Sequence, residues 1–333
     1  MSSLVTGSHA QSAAQHVTNA KQSWSAILRT NQQGDIINNA SSLSYDDFKD
    51  LTMDVVKARS FLNVGIQDLL AGGLSQPSNI NKTIVQYETM NTFDASISMN
   101  GSNRTENQST YAPNWIPQPI YHSDFRIPWR EEGFSYKESD GVMESVYRVN
   151  ELQDKVLFLG ADLGVQVSGQ PAELYGYINH PATIKKTDLS DWSDPANVDA
   201  ITGEAVAIVG ELFVGGRVME PNSCVMYVAT DVWSSLQQDY ASQKGDRTVL
   251  ERIKAISEIG DVKPQKDLAS KSVCVVELRP RTVQLSVAQQ AIAVPWVKGH
   301  DLEDGRFTIY SCMVAKVKAD RSGKTGIVYA TTA

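Results

Sequence analysis

The residues best placed to do chemistry lie in "ELYGYINHPA", residues 173–182, where His180 sits between an asparagine and a proline. A catalytic histidine needs a nucleophile, an orienting acid or a metal beside it. The sequence supplies none at a recognisable spacing. The five histidines, His9, His16, His122, His180 and His300, form neither HxH nor HExxH. His180 therefore reads as a turn residue whose ring caps the backbone, with Pro181 fixing the chain direction after it. Gly176, between Tyr175 and Tyr177, is expected to take a backbone angle that neither tyrosine could.

Other candidates fail in the same way. "RSGKTG" contains Gly323-Lys324-Thr325, but Lys318 stands where a phosphate loop needs glycine, and the strand-like "IVYATT" follows instead of a helix. A plain hairpin turn is expected there. Asp188, Asp191, Asp194 and Asp199 in "TDLSDWSDPANVDA" lack EF-hand spacing and read as a solvated acidic loop. Glu131 and Glu132 are neighbours, so in a strand they point to opposite faces. Cys224, Cys274 and Cys312 lie in apolar stretches without a CxxC and read as buried, reduced strand residues, with synthesis in the cytosol. Neither a G-x-S-x-G elbow nor a G-x-G-x-x-G fingerprint occurs. The chain reads as a non-enzyme that takes no cofactor or metal.

Composition narrows the remaining classes. With 333 residues, 41% hydrophobic and 20% charged, the chain can bury a substantial core. Its formal net charge of −8 argues against gripping nucleic acid or an anionic membrane through phosphates. It leaves room for a protein that merely encloses nucleic acid. The first residues lack an apolar core and are not expected to be a signal peptide, and "AVAIVGELFVGG" is too short to span a bilayer.

The elements follow from periodicity. Residues 1–43, rich in Ser, Ala, Asn and Gln, cannot bury enough surface to fold alone and read as an arm ordered by lying on something else. Ser44 and Asp47 resemble a capping box. Phe48, Leu51, Val55, Ala58, Leu62, Ile66 and Leu69 then share one helix face, stopped by Gly72-Gly73. "TIVQYETM", "FDASISM" and "IYHSDFRIPW" alternate as strands around the polar, Pro-rich connection "NGSNRTENQSTYAPNWIPQP". So long a loop usually binds something. Val142, Val146, Val149, Leu152, Val156, Leu159 and Leu163 predict a helix over 140–164, capped by Ser139 or Asp140 and closed by Gly160 and Gly164. Further helices are expected in "VDAITGEAVAIVGELFVGG", after Thr230 or Asp231, and in "RTVLERIKAI", with strands dominating from 271 onwards.

This order of elements resembles the major capsid proteins of tailed bacteriophages, the Hong-Kong-97-type α+β fold shared with encapsulin shells. "YRVNELQDKVLFLGADLGVQVSGQPAELYGYINHPA" is similar to that family's spine helix and glycine-rich loop. "VMYVATDVWSSL" is similar to a strand-to-helix step of its axial domain, and "SVCVVELRPRTVQLSVAQQAIAVPW" to the crossing back into its peripheral domain. The resemblance implies an N-terminal arm (1–43), a helix region (44–79), an extended β loop (80–137), a spine helix and exit (138–180), an axial α/β domain (181–275) and return strands of the peripheral domain (276–333). It implies a structural subunit of virions, assembled in the host cytoplasm into hexamers and pentamers around double-stranded DNA. Portal, separate scaffolding and decoration proteins would be its partners, and no membrane is involved. The alternative is an encapsulin-type shell around an enzyme cargo. Trp24, Arg104, Glu106, Tyr111 and Trp115 are the expected subunit-contact residues. Residues 83–136 contain no lysine, so lysine cross-linking through the loop is not carried over.

Overall fold

A computed structural model describes residues 55, 63–90, 111–130, 135–167, 170–194, 197–214, 220–237, 247–300, 302–320 and 323–332. Helix α1 (Val64–Ala71) buries Ile66 and Leu69, as the three/four rhythm requires. It ends where Gly73 turns to φ +67° and the Leu74 N–H reaches back to the Leu69 carbonyl. That six-to-one bond, with Leu69 and Leu74 in one core cluster, is a Schellman stop. Val55 is helical and buried as expected, whereas Ser44, Asp47, Phe48, Leu51, Ala58, Leu62 and "FDASISM" lie outside the described residues.

A four-stranded sheet runs β1 (Ser75–Pro77), β11 (Val283–Pro295), β12 (Gly305–Val317), β4 (Ile120–Ile127). One face is covered by the long helix α2 (Ser135–Leu159), whose Val142, Val146 and Val149 pack on Tyr121, Phe307 and Ile309. Burying each such side chain stabilises by about 1.5–3 kcal/mol. The expected helix over 140–164 needs correction at both ends. It starts at Ser135, so Ser139 and Asp140 are interior rather than caps, and it stops at Leu159. Gly160 bends the chain into β5 (Ala161–Val167), which pairs with β6 (Gln170–Leu174). Leu152, Leu159 and Leu163 are exposed, while Gln153, Asp154, Leu157 and Phe158 are buried. The stripe therefore shifts by one residue along the helix, placing polar groups inward where the two sheets meet.

The five-stranded sheet runs β7 (Ile184–Leu189), β13 (Ile327–Thr332), β10 (Ser272–Glu277), β8 (Cys224–Ala229), β9 (Ile259–Gln265). Its central strands β8 and β10 are buried almost throughout, which is why they read as continuous apolar runs. Cys224, Cys274 and Cys312 are free and buried within strands. Helices α3 (Val198–Val214), α4 (Thr230–Leu236) and α5 (Val249–Lys254) complete this layer. The Thr248 side chain accepts the Glu251 N–H and caps α5. Helix α4 has Ala229, not Thr230 or Asp231, at its N-cap.

The chain passes from one sheet to the other between β10 and β11 and returns between β12 and β13. The expected hairpin at "DRSGKT" is thus a crossing, closed by Asp320–Lys324 backbone bonds with Gly323 at φ +75°. Strand β13 pairs with β10 rather than lying beside β12 as a return strand. One core cluster reaches both sheets, since Leu285, Met313 and Val317 cluster with Met226, Val228 and Val275. The remaining ribbon pairs β2 (Ile84–Met90) with β3 (Tyr111–Pro117). Residues 111–117 were expected to be connection rather than strand. Pro113 and Pro117 obscure them, because proline is tolerated only where a strand has a free edge, as in a two-stranded ribbon.

Candidate functional site

The loop 175–183 folds against the end of α2. Helix carbonyls in the last turn lack intrahelical partners. Here the Tyr177 N–H donates to the Leu157 carbonyl at 2.9 Å and the Ile178 N–H to the Phe158 carbonyl at 3.0 Å. Gly160, at φ +74°, releases the chain sideways so that this loop can return. A Cβ on Gly176 would lie 2.4 Å from the Gly160 nitrogen and 2.6 Å from the Phe158 oxygen. Gly176 is thus required by close backbone approach and not, as expected, by its φ.

His180 does what its turn position suggested. Its Nδ1 accepts the Ala182 N–H at 3.2 Å, and its ring meets Tyr175 edge-on with centroids 5.4 Å apart. Burial lowers its pKa, so the ring is neutral at pH 7 and serves as an acceptor. The loop is a mechanical joint between α2 and the five-stranded sheet.

Beneath it, Phe158, Tyr177 and Tyr227 form an aromatic cluster with centroids 5.0–6.5 Å apart. The Tyr227 hydroxyl donates to Asp68 Oδ2 at 2.7 Å, and Lys263 pairs with the same carboxylate. Asp154 is wholly buried. Its Oδ1 accepts the Ile66 N–H at 3.0 Å and its Oδ2 a Gln265 Nε2–H at 2.9 Å. It thereby caps α1, whose own N-cap Asn63 makes no capping side-chain bond. Burial pushes its pKa up to about 6, against the opposing pull of these donors.

The joint orders three elements but holds no reactive constellation. Among the described residues no three His, Cys, Asp or Glu side chains are grouped to hold a metal ion. The cavity beside it, lined by Tyr121, Gln153, Leu174 and Met313 among others, measures about 20 Å³, enough for one water. Of the acidic loop, Asp191 pairs with Lys271 and accepts from Ser193, which lowers its pKa to about 2. Asp188 and Asp194 are exposed. Among the described residues no helix is long and apolar enough to cross a membrane.

The surfaces are more telling. Ribbon β2–β3 is rooted by Val85 and Ile116, which pack on Leu174 and Val314. Its other face presents Tyr111, 58% exposed, and Trp115, 50% exposed. Trp24, Arg104, Glu106, Glu131 and Glu132 lie outside the described residues. Sequence reasoning missed a second aromatic corner, where Trp129, Trp296, Val297 and Leu302 are exposed at one end of the four-stranded sheet. Arg130 lies over the Trp129 ring at 5.3 Å and Arg306 over Trp296 at 5.9 Å. The available signal was the Pro-Trp dipeptide closing two strands, at 128–129 and 295–296.

This architecture is that of known shells. A virus-like particle from Pyrococcus furiosus superposes with TM-score 0.58 at 13% identity, over 85% of this chain and 98% of that one. The capsid of Myoviridae phage XM1 gives 0.54 at 12% identity, over 80% and 92%. A chain of Mycobacterium phage Adephagia gives 0.51 at 9% identity, over 88% and 99%. The fold is therefore the Hong-Kong-97-type α+β capsid fold. No curated protein matches the sequence. Residues 39–330 match the family of unknown function DUF6260, and the chain belongs to that family.

Proposed function

We propose that this chain is the major capsid protein of a tailed bacteriophage, a structural subunit that self-assembles into hexamers and pentamers of an icosahedral head around double-stranded DNA. The observation that carries the reading is the fold itself, which spans 80–88% of the chain in superposition on the XM1 capsid, the Pyrococcus particle and the Adephagia chain. The exposed aromatic faces support it. Tyr111 and Trp115 on the ribbon supply area at low entropic cost, and Pro113 and Pro117 hold that ribbon extended before it meets a neighbour. Trp24, Arg104 and Glu106 are assigned to the same subunit contacts.

On this reading the protein is no enzyme and works in the virion after assembly in the host cytoplasm. A portal, a separate scaffolding protein and optionally a decoration protein are its partners. Its net charge of −8 suits a wall that encloses DNA without adhering to it. Co-expression with candidate portal and scaffold, followed by electron microscopy and nuclease digestion, tests this. Closed shells protecting DNA are expected. Shells filled with an enzyme, or a persistent monomer, would overturn it.

A further inference from the structure

Five lysines of the described residues, Lys186, Lys254, Lys263, Lys266 and Lys271, pair with carboxylates. Lys316, the last residue but one of β12, and Lys318, just past the end of that strand, do not. Lys316 is only 6% exposed, yet its Nζ donates to a neutral acceptor, Gln76 Oε1, at 3.0 Å. Lys318 Nζ donates to Gln284 Oε1 at 2.6 Å and to the Pro280 carbonyl at 2.9 Å. Gln284 lies directly across from Lys316 in the β11–β12 ladder and accepts from Lys318, so it neighbours both lysines.

An ammonium taken out of water without a counter-charge is costly, and a second one nearby adds to the cost. Burial lowers the pKa of both lysines, and Lys316 lowers that of Lys318 further. Both glutamines turn their oxygens toward the amines, which leaves their carboxamide N–H groups as donors. Gln76, Gln284 and Lys318 reach the surface with the buried Lys316 amine behind them, so the cluster offers N–H donors and positive charge and no carboxylate. The complement of such a set is a small oxyanion bearing several acceptor oxygens.

The geometry points to an oxyanion-binding site formed by Gln76, Gln284, Lys316 and Lys318, at the corner of the four-stranded sheet beside the crossing to the five-stranded one. Its ligand is a phosphate- or carboxylate-type anion, and the site is independent of the shell function proposed above.

The test titrates inorganic phosphate, then acetate, into the full-length chain at ionic strength matched with chloride, and follows Tm. A saturable rise with phosphate is expected, with half-saturation shifted at least tenfold in Lys316→Gln and Lys318→Gln. A saturable rise with acetate alone would identify a carboxylate ligand at the same site. Gln284→Glu places a carboxylate on the Lys318 amine and opposite Lys316, so it should raise Tm and abolish the anion response. The assignment is overturned if neither anion exceeds chloride, if the lysine variants respond as the parent does, or if Gln284→Glu lowers Tm. Assembly is not read in this assay, so its failure leaves the capsid reading untouched.

Discussion

Substituting Gly176 by alanine tests the joint most sharply. The added Cβ would sit 2.4 Å from the Gly160 nitrogen and 2.6 Å from the Phe158 carbonyl oxygen. Both obstacles are backbone, pinned by the end of α2 and by the return of the loop. Relief requires the loop to lift, which breaks the Tyr177-to-Leu157 and Ile178-to-Phe158 hydrogen bonds and leaves buried carbonyls without donors. Each such loss costs about 1–3 kcal/mol, so losing both should destabilise the subunit by about 2–6 kcal/mol. Gly203→Ala is the matched control. It lies inside α3 with nothing within 4 Å of the added methyl and should stabilise by about 0.5–1 kcal/mol. Urea unfolding of unassembled subunits measures both. A Gly176→Ala unfolding free energy within about 0.5 kcal/mol of the parent's would refute the account of this joint.

Asp154 governs a pH dependence. Its folded pKa of about 6 lies above the ordinary 3.8, so the folded state holds the proton more tightly than the unfolded chain. That contribution is complete below about pH 4 and is lost as pH rises through about 6, amounting to roughly 3 kcal/mol. Asp154→Asn should flatten the stability profile across that window, and an unchanged slope in urea titrations at pH 4 to 7 would contradict it. His180 acts oppositely. Burial depresses its pKa, so its contribution is present above about pH 6.5 and fades as pH falls; His180→Ala should remove that component of the profile and abolish no catalytic activity. Trp115→Ala, on a ribbon face exposed in the single subunit, should leave the subunit's urea midpoint unchanged while reducing shell yield, as sedimentation would show. A loss of subunit stability instead would place Trp115 in the fold rather than the contact.

The sequence was most informative where periodicity and local chemistry agreed. The stop at Gly72-Gly73, the short helix in "RTVLERIKAI" and the apolar runs of β8 and β10 all follow from the chain itself. It was least informative where long-range packing set the outcome. Leu152 and Leu159 keep the helical rhythm of α2, yet they face solvent because Asp154 turns inward to meet α1 and β9, with Gln153 buried beside it. Nothing local announces that a carboxylate on one helix caps another 88 residues earlier. Strand β3 was hidden by its prolines, and the pairing of β13 with β10 by a connection that looks like a hairpin turn. Trp115 and Tyr111 were singled out once the resemblance made their loop a candidate contact, and both are exposed on the ribbon. The Trp129–Trp296 corner did not, because its members come from separate strands and meet only in the folded sheet.

The central claim, that the chain is a shell subunit, is tested most directly by electron microscopy of the purified full-length protein under assembly conditions, alone and with its candidate scaffold. Closed particles of uniform diameter, with five- and sixfold clusters of subunits in the reconstructed wall, are the expected result. A monomer that persists at high concentration in both conditions would contradict the claim.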